Sequence, residues 1–230
     1  MPGIPILCYH KVGPIKEVGR FLNIEPARFK QQIDFFKRRG FHFILSRDLP
    51  KCDFQGKQVC LTFDDAYESA LTYGREVMLA SGVRATFFAV SERLGKTSDW
   101  DAEIAQPLAD IGSLIEAQSQ GFEVGNHTAS HPRLNQLDSL HQAEEILQAA
   151  KALRSLGLQV NSFAYPYGLH NASACNLVAD SHQVGLALGK RLATNTDPLD
   201  ALPRFVVSYS DSVPMLIYKV WVRNTLRSKR

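Results

Sequence analysis

Long apolar runs, CxxC cysteine pairs, internal repeats, low-complexity tracts and a large excess of either charge are all missing from this 230-residue sequence. Each absence removes a class of protein. No stretch approaches the ~20 apolar residues that a membrane-spanning helix needs, so no transmembrane segment is expected. The four cysteines, Cys8, Cys52, Cys60 and Cys175, show no metal-site spacing, and Cys8 and Cys60 fall inside apolar runs, so reduced structural thiols are expected. A formal net charge of +3, from scattered Lys and Arg, cannot build the dense basic face that nucleic acid requires. The opening MPGIPILCYHKVG lacks the basic start, apolar stretch and small-residue cleavage site of a secretory signal, which leads to the expectation of a cytoplasmic protein. No Pro/Gly/Ser-rich linker divides the chain. With 45% hydrophobic and 21% charged residues, one globular domain covering 1–230 is the simplest organisation.

What is present is an alternation of short apolar or β-branched runs with segments of helical period, the pattern of βα units and a mostly parallel sheet. Strands are expected at Ile4–Tyr9, Phe41–Leu45, Gln58–Phe63, Arg84–Val90, Phe122–Asn126, Asn161–Tyr165, Val184–Leu188 and Arg204–Ser208. Between the first two, Phe29, Ile33 and Phe36 follow Pro26 at helical spacing and Gly40 supplies a stop. From the N-cap Asp138, the residues Leu140, Ala143, Leu147, Ala150 and Leu153 form an apolar stripe that ends near Gly157. The longer connection Lys96–Gln120 carries Trp100, Ile104, Leu108, Ile111 and Ile115 at roughly helical spacing, which suggests extra helix over one face. Seven to eight mostly parallel strands predict an α/β fold, a closed or nearly closed (β/α) barrel, although an open doubly wound sheet produces the same string.

Three strand ends carry polar residues suited to chemistry. QVCLTFDDAY ends a strand in Asp64 and Asp65 at the C-terminal sheet edge, where parallel β/α folds place active sites. Helix capping is the plainer alternative for Asp65. FEVGNHTASH ends another strand in His127, with His131 four positions on. If the turn is helical, two such imidazoles converge, and with a carboxylate they suit zinc and neighbouring divalent ions. Capping or stacking explains a lone His pair equally well. NSFAYPYG runs into Pro166, Tyr167 and Gly168, a tight turn able to aim a backbone N–H at an oxyanion, or simply to end a strand. Specificity lies in the order of all three.

At these residues the sequence resembles the polysaccharide deacetylase family, the NodB-like carbohydrate esterases, whose motifs are TFDD, H-[ST]-x-x-H and RxPY. The resemblance covers roughly Pro5 to Phe205. It implies a distorted β/α barrel in which Asp64 is the general base, Asp65, His127 and His131 hold a divalent metal, and Tyr167 lends its backbone N–H to the oxyanion. The YH of ILCYHKV and the LPRF around Arg204 resemble the branch acting on poly-N-acetylglucosamine and related exopolysaccharides. Two positions depart from the pattern. Ala164 replaces the Arg of RxPY, so the usual tether of the base is missing; Arg204 is a substitute, unless it pairs with a surface carboxylate. No His follows His182 to serve as the late general acid, so His10, at the end of the first strand, is the candidate proton donor or substrate contact, unless Tyr9 and Phe41 simply pack around it.

The implied activity is hydrolysis of an N-acyl group, acetyl foremost, from an amino sugar. N-acetylated amino sugars, oligosaccharides or lipid-linked glycans are the expected partners. Zinc is the first choice of metal, and cobalt, manganese, nickel and iron suit the same donors. A metal phosphoesterase is one alternative, though such sites often hold two ions. A glycan-binding module without turnover is another, suggested by Ala164 and the missing late His. The tail reads as a final helix from Asp211, with Leu216, Val220, Val222 and Leu226 partly on one face, packed on the barrel or touching an anionic membrane.

Overall fold

A computed structural model describes residues 3–223. Its strands are β1 Ile6–Tyr9, β2 Lys11–Val12, β3 Asn23–Ile24, β4 His42–Ile44, β5 Gln58–Phe63, β6 Thr86–Ala89, β7 Glu123–Asn126, β8 Ser162–Ala164, β9 Val184–Leu188 and β10 Leu202–Val206. Eight of them fall on the eight expected segments. The exceptions, β2 and β3, are two-residue pieces too short to leave a periodic signal, and they pair with each other beside the mouth of the barrel.

The sheet order β1-β10-β9-β8-β7-β6-β5-β4 is parallel throughout, and β1 also pairs with β5 from Ile6↔Cys60 to Tyr9↔Phe63. That pairing closes seven strands into a barrel and leaves β4 outside on the flank of β5. Along each strand alternate residues face opposite ways. One set, including Ile6, Cys60, Phe88, Ala164, Val184, Leu186 and Leu202, clusters inside. Ile4, Leu49, Phe54 and Ala193 join this cluster and seal the N-terminal mouth. The other set, including Leu7, Tyr9, Leu61, Phe63, Phe87 and Val124, packs outward in the main core with the helices. Gly125 makes room for Phe88, because a Cβ there would meet the Phe88 ring at 2.4 Å.

A buried polar knot lies toward the sealed end and leaves no signature in sequence. Glu123 accepts hydrogen bonds from Ser162 Oγ (2.6 Å), Thr86 Oγ1 (2.8 Å) and the Arg47 N–H (3.0 Å). Burial outweighs these donors and raises its carboxyl above the ordinary range.

The Pro26–Arg38 helix buries Phe29, Ile33 and Phe36 as expected and is followed by Gly40 at φ 74°. The helix 139–155 begins at Asp138, whose side chain accepts the His141 N–H, but its expected stripe is only partly correct. A π-type turn at Glu144–Gln148 inserts an extra residue per turn and rotates the face. Leu140 and Leu147 are therefore exposed, while Gln142, Ile146, Ala149, Ala150 and Leu153 are buried. In the 96–120 connection only Ile111–Ser119 is α-helical, and Ile104 and Ile115 point outward. Ala102, at φ 49°, breaks the helical path between Trp100 and Leu108. The tail forms a helix at Val213–Ile217 and a π-type turn at Tyr218–Val222, packing Leu216 and Val220 on the barrel with Val222 exposed; Leu226 lies outside the described residues. Among the described residues no helix is long and apolar enough to cross a membrane. All four cysteines are free, and Cys8 and Cys60 are buried.

Candidate active site

The C-terminal mouth of the barrel opens into a cleft of about 130 Å³ whose lining includes His10, Asp64, Asp65, His127, His131 and Tyr167. The two adjacent carboxylates at the end of β5 separate at once. Asp64 continues the strand's inward face, and its carboxylate is gripped by the Arg204 guanidinium, Nη1 to Oδ1 at 2.6 Å and Nη2 to Oδ2 at 2.7 Å. Arg204 is 0% exposed, and it also donates to Thr62 Oγ1 and the Ala187 carbonyl. Burial alone would raise the Asp64 carboxyl, but the guanidinium outweighs it and holds the group below its ordinary range. Of the two readings open for Arg204, a partner on the surface is thus excluded. The fork that the sequence lacks at Ala164 arrives instead from β10.

Asp65 leaves the strand through a left-handed backbone (φ 67°, followed by Ala66 at 51°) and caps no helix. Its Oδ1 faces two imidazoles, His127 Nε2 at 3.4 Å and His131 Nε2 at 3.2 Å. The turn between the histidines is not helical: Thr128 (φ 70°) and His131 (φ 68°) are left-handed, so an irregular loop makes the rings converge. His127 Nδ1 lies 2.7 Å from the Ala164 carbonyl, which can only accept, so that nitrogen carries the proton and Nε2 turns its lone pair inward. Trp100 stacks on His131 at 4.1 Å and Tyr167 meets its edge at 4.7 Å, fixing the second ring.

These three residues fit a divalent metal. Bonds of the zinc length, arranged tetrahedrally, separate ligand atoms by about 3.3 Å, close to both observed Oδ1–Nε2 distances. Asp65 Oδ1 is a buried atom without a hydrogen-bond partner, which a cation would satisfy. Burial lowers the basicity of His127, but Asp64 and Asp65 outweigh it and shift the group upward, a sign that the pocket favours positive charge. Cys8, His10 and Asp64 form a second set with ligand atoms within 4.8 Å. It suits a metal poorly, because Arg204 occupies both Asp64 oxygens and burial pushes the Cys8 thiol well above its ordinary value.

His10 stands on the same rim, with Nδ1 buried and unpartnered. The aromatic neighbours that could have claimed it are engaged elsewhere, Tyr9 with Phe29 and Phe63, and Phe41 with Phe36 and Trp221. Burial outweighs the nearby carboxylates and lowers its pKa. Tyr167 is left-handed (φ 58°) in the Pro166–Gly168 turn, and Gly168 (φ 70°) is pressed so close to Leu188 that a Cβ would lie 2.6 Å from it.

Supporting residues escaped the sequence reading. Glu145 accepts from the Ala129 and Ser130 N–H groups, both at 2.9 Å, and from Ser130 Oγ at 2.6 Å, so one carboxylate shapes the loop between the histidines. Asn126 accepts the Thr128 N–H at 3.0 Å and approaches His182 Nε2 at 3.2 Å. Trp100 and Asp101 form one wall, with Asp101 held by the Tyr67 hydroxyl and by Ser98 Oγ at 2.9 Å. The aromatic type of Trp100 and the length of its connection were the available signals; Glu145 sits in the π-type turn of the helix 139–155 and gave none.

Comparison with known proteins bears on the family and the fold. The chain is 24% identical over 212 residues to YxkH of Bacillus subtilis, a protein named as a polysaccharide deacetylase, covering 89% of this chain and 71% of that one. It is 30% identical over 135 residues to a Bradyrhizobium chitooligosaccharide deacetylase, covering 57% of this chain and 54% of the relative. Similar folds occur in the Streptococcus pyogenes deacetylase PplD in complex with acetate (TM-score 0.80, 21% identity, 95% of this chain and 99% of that one) and in IcaB from Ammonifex degensii (TM-score 0.75, 24% identity, 94% and 96%). Residues 51–185, which include Asp64, Asp65, both site histidines and Tyr167, match the family described as polysaccharide deacetylase, and the chain belongs to that family.

Proposed function

We propose that this protein hydrolyses the N-acetyl group of an amino sugar within a glycan, using a divalent metal and Asp64 as general base. The observation that carries the reading is the juxtaposition, in one cleft, of the Asp65–His127–His131 set and an Asp64 carboxylate oriented by Arg204. Membership of the family supports the acyl chemistry.

An amide is a weak electrophile and an amine a poor leaving group, so water must be activated, an oxyanion stabilised and a proton delivered. A divalent ion held by Asp65, His127 and His131 supplies positive charge that acidifies water and polarises an acyl carbonyl; zinc suits the donors best. Asp64, kept anionic at neutral pH by Arg204, takes the proton of the attacking water. The Tyr167 turn offers its backbone N–H to the oxyanion, a contact whose loss typically costs about 3 kcal/mol. His10, with its ligand atom within 4.8 Å of Asp64, relays the proton to the departing amine. Its lowered pKa suits a relay that accepts the proton during turnover rather than storing one. The YH and LPRF segments make poly-N-acetylglucosamine oligomers the first substrates to try.

The test is acetate release from N-acetylglucosamine oligomers by metal-free protein and after adding back each divalent ion, with Asp64→Asn as control. Metal-restored release that Asp64→Asn abolishes is expected. A metallated, folded protein releasing no acetate from any N-acetylated glycan would refute the reading.

A further inference from the structure

The cleft is chemically lopsided. On the Trp100 side its wall is acidic and aromatic. Just outside the cleft's own lining, the segments that follow the neighbouring strands β1 and β10 carry cations. Tyr209 follows β10 at the catalytic end of the barrel, and two guanidinium groups converge on its ring, Arg20 at 5.3 Å and Arg28 at 5.5 Å from the centroid. Arg28 also donates to the Tyr209 carbonyl at 2.5 Å. Phe21, the next residue after Arg20, is half exposed and lines the cleft. Above the Phe21 ring, at 5.4 Å, lies the ammonium of the buried Lys11.

Among the described residues none of these three cations has a carboxylate within 4.0 Å. Of the three acidic groups on the same segments, Glu25 forms no ion pair within 4.0 Å among the described residues, and the other two are committed elsewhere. Glu17 accepts from the Tyr73 hydroxyl at 2.5 Å, and Asp211 pairs with Lys219 at 2.5 Å. Lys11 feels the charges of Asp101 and Asp65, whereas Arg20 and Arg28 share one tyrosine ring without such a partner, and an anionic ligand would relieve their mutual repulsion. Arginine's planar fork matches phosphate oxygens in pairs, and stacking on a tyrosine holds the fork in place before the ligand arrives.

We propose that Arg20, Arg28 and Tyr209 form an anion-binding subsite that receives a phosphate or diphosphate carried by the amino-sugar substrate. The substrate is then a phosphorylated or carrier-linked N-acetyl sugar, oriented with its anionic end toward the β1–β10 rim. Only the acyl chemistry in this proposal rests on the deacetylase reading; the subsite stands on the cations alone.

Two measurements test it. Inorganic pyrophosphate and inorganic phosphate are titrated calorimetrically into the wild type, Arg20→Gln and Arg28→Lys. Wild-type binding is expected to weaken roughly tenfold in Arg20→Gln, to weaken less in Arg28→Lys, which keeps the charge but not the fork, and to fade as salt is raised. Acetate release is then compared for neutral N-acetylglucosamine oligomers, N-acetylglucosamine 1-phosphate and a short-chain prenyl-diphosphate-linked N-acetylglucosamine. A phosphorylated substrate should show the higher kcat/KM, and its advantage over the neutral one should collapse in Arg20→Gln. Preference for the prenyl diphosphate over the monophosphate would identify a lipid-carrier source, and equal use a simple sugar phosphate. Absence of pyrophosphate binding, or binding indifferent to Arg20→Gln, overturns the subsite and leaves the deacetylase reading untouched. Pyrophosphate binding that depends on Arg20, without acetate release from any substrate, supports the subsite and sinks the deacetylase reading.

Discussion

Replacing Arg204 with methionine would expose how much of the site depends on one ion pair. The guanidinium is inaccessible to water and contacts both oxygens of Asp64, itself 5% exposed. Removing one partner of such a buried pair strands the other charge, at a typical cost of about 3–5 kcal/mol. In the wild type the folded Asp64 carboxyl titrates below its unfolded value, near 3.9. Its contribution to stability is therefore present above that value and is lost as pH falls through the folded pKa. Without Arg204 burial dominates and the folded pKa rises above the unfolded one, so ionising Asp64 now costs stability at neutral pH. Urea unfolding should show an Arg204→Met deficit that is largest near neutrality and shrinks in acid. The double variant Asp64→Asn/Arg204→Met should recover part of it. Acetate release should fall about 100-fold or more, with its acid limb moved to higher pH as the base becomes harder to ionise. Arg204→Lys, which keeps a charge but not the fork, should lie between. An Arg204→Met protein within about 0.5 kcal/mol of wild type at neutral pH, a typical surface-substitution effect, or one with an unshifted acid limb, would refute the role assigned to the pair.

Three further outcomes follow from the same geometry. Zinc at about 100 times its dissociation constant should stabilise the protein by about 2.7 kcal/mol, several degrees in Tm, and His131→Gln should remove most of this in differential scanning fluorimetry. Glu145→Ala removes three hydrogen bonds from the loop between the metal-site histidines; zinc affinity measured by chelator competition should weaken roughly 10- to 100-fold while the fold persists. His182 is pushed down to about 3 by burial, and Asn126 Nδ2 facing its Nε2 leaves no room for a second proton. Between that value and the ordinary 6.5 the unfolded chain binds the extra proton, so stability should fall as pH drops through this window, by on the order of 5 kcal/mol in all, and His182→Gln should flatten the slope.

What could be read from the sequence was local. Strand and helix periods repeat over a few residues, so all eight segments of the main sheet were legible, as were Asp64, Asp65, His127, His131 and the Pro166–Gly168 turn, each at or just past a strand end. The helix 139–155 shows the limit of such reading, since a single π-type turn moved Leu140 and Leu147 to the surface without altering the apparent period. Tertiary structure decided the rest. Closure depends on β1 meeting β5, and no property of either strand alone distinguishes a closed barrel from an open sheet. The Asp64–Arg204 pair joins residues 140 positions apart, and only the barrel interior brings them together and makes their charges depend on each other. Glu145 and the cations around Tyr209 belong to the same kind of knowledge: their residue types are ordinary, and their meaning comes from which neighbours the fold supplies and which counter-charges it withholds.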